Sequence, residues 1–265
     1  MYKLLAIDMD GTLLDDYSLM PENTYAAVEY LKKNKIEFVL ATGRPLLGVL
    51  SFYDDLKLNS PIITNNGAMV YKSKEGPLIF NNTMAISDAL KVIELNDRYN
   101  CTICMWHDQK LYVNNFNQYA FDYAKITGIT PLDLKDLDLK NSHIGPTKFV
   151  FREELSRIEE IKDEVASHVP QGVTALTTRA DFLEIFSSDN SKGIALRVLG
   201  EHLNIDPKEM IAVGDGYNDI EMIRYAGLSV VVDNAPSYVK SFADYIGCSN
   251  NEGIVDHIVE NLLKK

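Results

Sequence analysis

Four short stretches set acids, a lysine and hydroxyl or amide donors at turn positions: Asp8-Met9-Asp10-Gly11-Thr12, Thr42-Gly43-Arg44, Ser191-Lys192-Gly193 and Gly214-Asp215-Gly216-Tyr217-Asn218-Asp219. Each is weak alone, since an acid followed by glycine is a common turn. Together they fit phosphoryl transfer. A phosphate monoester repels an anionic nucleophile, so its charge must be neutralised before a carboxylate can attack. Asp8 is the candidate nucleophile, forming an aspartyl-phosphate and dividing one hard step into two. Asp215, and with it Asp219, would join Asp8 in a cluster of acids. Such a cluster is too repulsive to stand unpaired, but it suits a hard, oxygen-preferring cation such as Mg2+. Lys192 supplies a fixed positive charge, while Thr42 and the amide of Gly43 can donate to the phosphoryl oxygens. Asp10 would share a face with Asp8 on a continuing strand. Where the strand breaks into the turn, Asp10 could instead protonate the leaving oxygen and then deprotonate the attacking water. Thr12 is expected to hydrogen-bond Asp8 or phosphate.

These stretches need elements that bring them together. Apolar runs at Lys3–Met9, Ile36–Ala41, Pro61–Thr64, Met210–Val213 and Leu228–Val232 read as buried parallel strands. Helical patterns over residues 21–35, Pro45–Leu56, Ser191–Leu203, Asn218–Ala226, Pro236–Ala243 and Ile254–Leu263 separate or follow them. Ligands of doubly wound sheets bind outside the carboxyl ends of the strands, where the four stretches lie. The middle of the chain reads differently. Helical patterns at Ser87–Tyr99, Phe116–Thr127 and Glu153–His168 alternate with hairpin candidates, Thr102–Trp106 with Leu111–Val113 and Val173–Thr177 with Phe182–Phe186. The expected fold class is therefore α/β: a Rossmann-like, doubly wound, mostly parallel core over residues 1–82 and 189–265, with an inserted α+β domain over 83–188.

The chain has 265 residues, against a prior of roughly 150 per domain, so one large or two modest domains are expected. Its net charge of −12 argues against nucleic acid and membrane surfaces as partners. No run approaches the roughly 18 apolar residues that span a bilayer, and Asp8 interrupts the N-terminal run too early for a secretory signal. Three cysteines imply no disulfide framework. Cys101 and Cys104 have CxxC spacing, but on a strand they would point to opposite faces and pack. A cytoplasmic protein is expected.

Asp8-Met9-Asp10-Gly11-Thr12-Leu13 resembles the first motif of the haloacid dehalogenase (HAD) superfamily in the DxDGT form of its phosphatases. Thr42-Gly43-Arg44 is similar to the second motif of the Cof-type, subclass IIB, sugar-phosphatase-like branch; Lys192-Gly193 resembles the third motif, and residues 214–222 the fourth. Asn66-Gly67-Ala68 and Ala226-Gly227 extend the likeness. The resemblance implies a core under a mobile cap, the inserted domain, that closes over substrate. It makes Asp8 the nucleophile and Asp10 the acid/base. Asp8, Asp215 and the Asp10 backbone carbonyl would bind Mg2+. Thr42, Gly43, Lys192 and Asn218 would hold phosphate, with Asp219 supporting the metal or Lys192. Asp233-Asn234-Ala235 departs from Gly-Asn-Ala, and Asn251-Glu252-Gly253 from Asn-Glu-Asp-Gly, without removing a catalytic group.

The resulting expectation is a Mg2+-dependent phosphatase, monomer or homodimer, acting on a small phosphorylated metabolite such as a sugar phosphate. A phosphotransferase or mutase of the phosphomannomutase type is the rival enzyme, and a non-catalytic phosphometabolite sensor the rival outside enzymes. A sensor has no need of a nucleophile plus an acid. For Arg44, a salt bridge competes with substrate contact. His107 reads as packing or surface before ligand, Tyr119, Phe121 and Tyr123 as helix packing, and Lys110, Lys148 and Arg179 as candidate anion contacts in the inserted domain.

Overall fold

In a computed structural model, the structure describes residues 1–179 and 181–264, with Thr178 and Arg179 described by backbone alone. The chain divides into two compact units, Met1–Asn81 with Ser191–Lys265, and Asn82–Asn190. The first unit begins β1 (Leu4–Ile7), α1 (Asn23–Lys33), β2 (Glu37–Ala41), α2 (Leu50–Asp55), β3 (Ile62–Thr64), β4 (Met69–Tyr71) and β5 (Leu78–Asn81). The second unit holds α3 (Ile86–Tyr99), β6 (Thr102–His107), β7 (Lys110–Val113), α4 (Gln118–Thr127), β8 (Leu132–Asp133), β9 (Lys148–Arg152), α5 (Leu155–His168), β10 (Val173–Arg179) and β11 (Phe182–Ser187). The chain then returns to the first unit through α6 (Lys192–Leu203), β12 (Met210–Gly214), α7 (Ile220–Tyr225), β13 (Leu228–Val231), α8 (Ser237–Lys240), β14 (Tyr245–Ile246) and α9 (Ile254–Ile258).

The first unit is an eight-stranded sheet ordered β14-β13-β12-β1-β2-β3-β4-β5. Its first six strands pair parallel, and β4 and β5 extend it antiparallel. Strand alternation sends side chains to two buried faces. Leu5 and Ile7 join the α1 and α9 residues Val28, Leu31 and Val255 in one core. Leu4, Ala6 and Ala212 join Ala195, Leu196 and Leu199 of α6 in the other. Strand β1 lies between β12 and β2, so the residues after all three strands emerge side by side.

The second unit is a sheet ordered β10-β11-β9-β6-β7-β8. Helices α3 and α5 cover one face through Ala89, Val92, Ile158 and Ile161. Ala120 and Tyr123 of α4 pack against Trp106, Val150 and Phe182 on the other. Cys101 and Cys104 fall in these two separate cores, and burial pushes their thiols up to about 11 and about 12. They are packing groups. Among the described residues no helix is long and apolar enough to cross a membrane.

Several sequence-based spans are shortened. The helical reading of Asn218–Ala226 becomes a 3-10 turn at Tyr217–Asp219 followed by α7, and that of Ile254–Leu263 passes from α9 into a π turn at Val259–Leu263. Strand β9, with Lys148 and Arg152 at its ends, is central to the second sheet and was not expected as a strand. Its charges are neutralised inside the unit, Lys148 by Glu184 at 2.8 Å and Arg152 by Asp181 at 2.6 Å. Lys148 is therefore not an open anion contact. Lys110 is exposed, and the Arg179 side chain lies outside the described residues. His107 is buried, its Nε2 within 2.9 Å of Ser142 Oγ and 3.1 Å of the Ile144 carbonyl, which fits packing. Of the aromatic residues on α4, Tyr123 is buried while Phe121 is exposed.

Candidate active site

Strand β1 ends at Ile7, and the Asp8 N–H still donates to the Val213 carbonyl at 2.9 Å, which ties the acid to the end of β12. The chain then turns at Gly11, whose φ is +83°, a left-handed value that favours glycine. A Cβ there would stand 2.7 Å from Asp215 Oδ2, so the turn lets two acidic loops touch. The Thr12 hydroxyl donates to Asp215 Oδ1 at 2.7 Å. Thr12 thus serves Asp215 rather than Asp8.

Lys192 is the first residue of α6. Ser191 caps the helix, its Oγ accepting the Ile194 N–H at 3.0 Å. A cation at a helix N-terminus opposes the macrodipole, and Lys192 is also fully buried. It persists because its ammonium donates to Asp8 Oδ1 and, at 2.7 Å, to Asp219 Oδ1. Burial favours the neutral amine, but the Asp219 and Asp8 carboxylates outweigh it and hold Lys192 above its ordinary range. Asp219 is buried at the end of the 3-10 turn, and its Oδ2 accepts the backbone N–H groups of Asp215 at 3.1 Å and Gly216 at 2.9 Å. One acid therefore shapes the loop after β12 and binds the lysine.

Asp8, Asp215 and Asp219 offer carboxylate oxygens that all lie within 4.8 Å of one another. Burial, together with the charges of Asp219 and Asp215, raises the Asp8 carboxyl well above its ordinary value despite Lys192. Asp215 is also raised, chiefly by burial, against the Thr12 hydrogen bond that lowers it. A lone lysine does not balance three carboxylates. A set of hard oxygen donors short of positive charge could hold a divalent cation.

The loop after β2 completes the arrangement. Thr42 is fully buried and its Oγ1 accepts the Arg44 N–H at 3.1 Å, which leaves its own proton to donate. Gly43 lies against the Asn66 side chain, and Asn66 Oδ1 accepts from Asn218 Nδ2 at 3.0 Å. Asn66, with φ 54°, belongs to a left-handed turn closed by Gly67 at φ +93°. A Cβ on Gly67 would collide with the Ser191 carbonyl, so the turn packs directly beneath the start of α6. Asp10 is exposed and paired with Arg44.

The structure thus gathers Asp8, Thr12, Lys192, Asp215 and Asp219 in one bonded cluster, and links Thr42, Gly43 and Asn218 through Asn66. Three further asparagines, not read as site residues from the sequence, support it. Asn66 bridges two loops. Asn234 donates to the Gly11 carbonyl at 2.8 Å and accepts the Asn250 N–H at 2.9 Å, while Asn250 donates to the Leu14 carbonyl at 3.0 Å. The sequence signal for two of them was their place in the departing stretches near residues 234 and 251. Asp233, the residue that departs, is exposed and paired with Lys240 at 2.9 Å.

Comparison with known proteins assigns the family. The haloacid dehalogenase-like hydrolase family matches residues 5–258. The chain is 29% identical over 251 residues to the 5-amino-6-(5-phospho-D-ribitylamino)uracil phosphatase YcsE of Bacillus subtilis (strain 168), covering 94% of this chain and 91% of that protein. It is 27% identical to phosphatase YwpJ of the same organism over 98% of this chain and 100% of the relative. The crystal structure of TM0651 from Thermotoga maritima superposes with a TM-score of 0.90 at 30% identity, covering 99% and 98% of the two chains. With the match running from β1 into α9 and taking in every loop of the acid–lysine cluster, the chain belongs to the haloacid dehalogenase-like hydrolases.

Proposed function

We propose that this phosphatase hydrolyses small phosphate monoesters, sugar phosphates or metabolites of similar build, through an aspartyl-phosphate on Asp8. The observation that carries the reading is the buried Asp8–Lys192–Asp219 contact beside Asp215. Asp8 Oδ attacks phosphorus as the ester bond breaks, and the electron pair stays on the leaving oxygen, which takes a proton from Asp10. A water then attacks phosphorus and gives its proton to Asp10, and the Asp8–phosphorus bond breaks to release phosphate. Lys192 has a third ammonium proton beyond its two carboxylate bonds for a phosphoryl oxygen. The Thr42 hydroxyl, the Gly43 amide and Asn218 are assigned the remaining oxygens.

Asp8 and Asp215, with the Asp10 backbone carbonyl, would hold Mg2+, and Asp219 would support that set. When bound, the cation shields the nucleophile from the phosphate charge and stabilises the transition state. The choice of substrate is assigned to the second unit, Asn82–Asn190, which corresponds to the family's cap. The relative YcsE is named for a phosphoribityl ester, an alkyl phosphate like the hexose phosphates. The test is phosphate release from a panel of phosphorylated sugars and related metabolites, with Mg2+ and with chelator, for the parent and for Asp8→Asn. Release by the parent in Mg2+ and none by the variant is expected. A parent that frees phosphate from no ester, or a variant that keeps its turnover, would overturn the reading.

A further inference from the structure

Arg44 presents its guanidinium edge-on to Asp10: Nε donates to Oδ2 at 2.8 Å and Nη2 to Oδ1 at 2.5 Å. Two parallel bonds fix the plane of a carboxylate as well as its position, which a single ammonium contact does not. The arginine is held in turn. Its Nη1 reaches the Gly48 carbonyl at 3.4 Å, and the guanidinium carbon lies 5.3 Å from the centre of the Phe52 ring. Its backbone is fixed at both ends, the N–H on Thr42 Oγ1 and the carbonyl on the Asn65 N–H at 3.0 Å. Asp10 has much less support, since its side chain is 54% exposed and follows a strand that ended at Ile7. A free carboxylate there would sample several rotamers, and ordering it would oppose catalysis. The hydrogen bond to Asp10 raises the Arg44 guanidinium above its ordinary value although burial opposes it.

We infer that Arg44 is the positioning residue for Asp10: it holds that carboxyl group in one orientation for proton transfer and does not itself bind the substrate phosphate. The inference rests on the phosphatase reading above. Each carboxylate oxygen has two lone-pair sites, so the Arg44 bonds occupy one on each and leave another for the travelling proton. The proton passes from the Asp10 carboxyl to the leaving oxygen as the ester bond breaks, and returns to Asp10 from the attacking water. Demand for it depends on the leaving group. A departing alkoxide needs the proton, whereas a nitrophenolate leaves without one.

The experiment measures kcat/KM, which reports steps up to departure of the leaving group, for the full-length Mg2+-loaded enzyme. Parent, Arg44→Met, Arg44→Lys, Asp10→Asn and the Arg44→Met/Asp10→Asn double variant are compared on glucose 6-phosphate and on p-nitrophenyl phosphate. Arg44→Met is expected to lose about 10–100-fold on the sugar phosphate and less than about threefold on the nitrophenyl ester. Arg44→Lys should behave like Arg44→Met, because lysine restores charge without the fork. In the Asp10→Asn background, Arg44→Met should add less than about threefold, since both act on one proton transfer. Equal losses on both esters through a raised KM would mark Arg44 as a phosphate ligand and overturn the inference. So would parental activity of Arg44→Lys on the sugar phosphate, and that variant decides the matter should Arg44→Met not fold. A parent inert on both esters would overturn the phosphatase reading and this inference with it.

Discussion

Replacing Asp8 by asparagine should stabilise the chelator-treated protein while abolishing its turnover. Asp8, Asp215 and Asp219 have oxygens within 4.8 Å of one another, and among the described residues the one ammonium bonded to them is that of Lys192. At an effective dielectric constant of about 20, two like charges at that separation repel by roughly 3–4 kcal/mol. Ionised Asp8 meets two such repulsions at most, and the ammonium of Lys192, in direct contact, offsets them, so burial is what makes the charge unfavourable. The Asp8 carboxyl is raised by burial first; Lys192 opposes the rise, and the Asp219 and Asp215 charges add to it. Protonation caps the penalty, and asparagine gives up the charged bond to Lys192. The net gain is then about 1–3 kcal/mol, or about 2–10 °C in Tm for a chain of this size. The sign with pH follows from linkage. With the folded carboxyl above its ordinary value of 3.8, the folded parent binds more protons than the unfolded chain, so parental stability falls as pH rises from 3.8 toward the folded value. The advantage of the variant should therefore shrink as pH is lowered toward 3.8. Excess Mg2+ should remove it as well, since the cation stabilises the parent and asparagine is the poorer ligand. Melting curves followed by circular dichroism, in chelator and in Mg2+, give the comparison. An asparagine variant that melts below the parent in chelator at neutral pH would refute the reasoning.

Four further outcomes are expected. Phosphate release should stop in chelator and return with Mg2+, a loss and recovery read directly by a phosphate assay. Lys192→Met should destabilise the protein by about 3–5 kcal/mol, because it leaves buried carboxylates uncompensated, and Mg2+ should reduce the loss measured by urea titration. Gly67→Ala should destabilise by more than about 2 kcal/mol, combining a left-handed φ of +93° with a collision against the Ser191 carbonyl; thermal melting checks it. Glu184→Gln should destabilise the second unit by about 3–5 kcal/mol by stranding the Lys148 ammonium. Burial opposes that ammonium, but Glu184 more than offsets it and raises Lys148. The contribution of the Lys148 charge is thus kept through neutral pH and is lost only as pH climbs above 10.5, so the variant's deficit should be constant through neutral pH.

The parallel core was legible because buried strands in such a sheet are apolar runs with turn residues at their carboxyl ends. β1, β2, β12 and β13 each show that pattern. The polar residues of those turns could be assigned to one place because adjacent parallel strands deliver their ends to the same edge. What escaped were elements whose burial depends on distant partners. Lys148–Arg152 begins and ends in a cation, so it reads as exposed until Glu184 and Asp181 are known to neutralise it. Strand β5 is exposed at both ends and only partly buried between, and it carries no alternation. Asn234 and Asn250 act through neutral amides on backbone groups of other loops and Asn66 on the Asn218 side chain, and an uncharged residue in a turn has no pattern that names its partner. Arg44 was ambiguous for a related reason: spacing cannot say whether a fork faces a substrate or an acid 34 residues away.

The division of labour among the three buried acids follows from where each oxygen is already committed. Asp219 is committed at both, Oδ1 to Lys192 and Oδ2 to the amides of Asp215 and Gly216. Asp8 gives Oδ1 to Lys192 and Asp215 gives Oδ1 to Thr12, and beyond these the two carboxyls hydrogen-bond each other, a contact that a cation between them would replace. A carboxylate whose lone pairs already serve two amides and an ammonium is a poor donor to a further cation. Asp219 therefore suits a supporting role, holding Lys192 in place and the Asp215 loop in shape, and Asp8 and Asp215 are the acids better placed to hold a divalent cation. The same commitments account for how a site with surplus negative charge stays folded. The acids are not left to repel freely, because one oxygen of each is tied to a donor fixed by the fold: the first turn of α6 for Asp8, the Gly11 turn for Asp215 and the loop after β12 for Asp219.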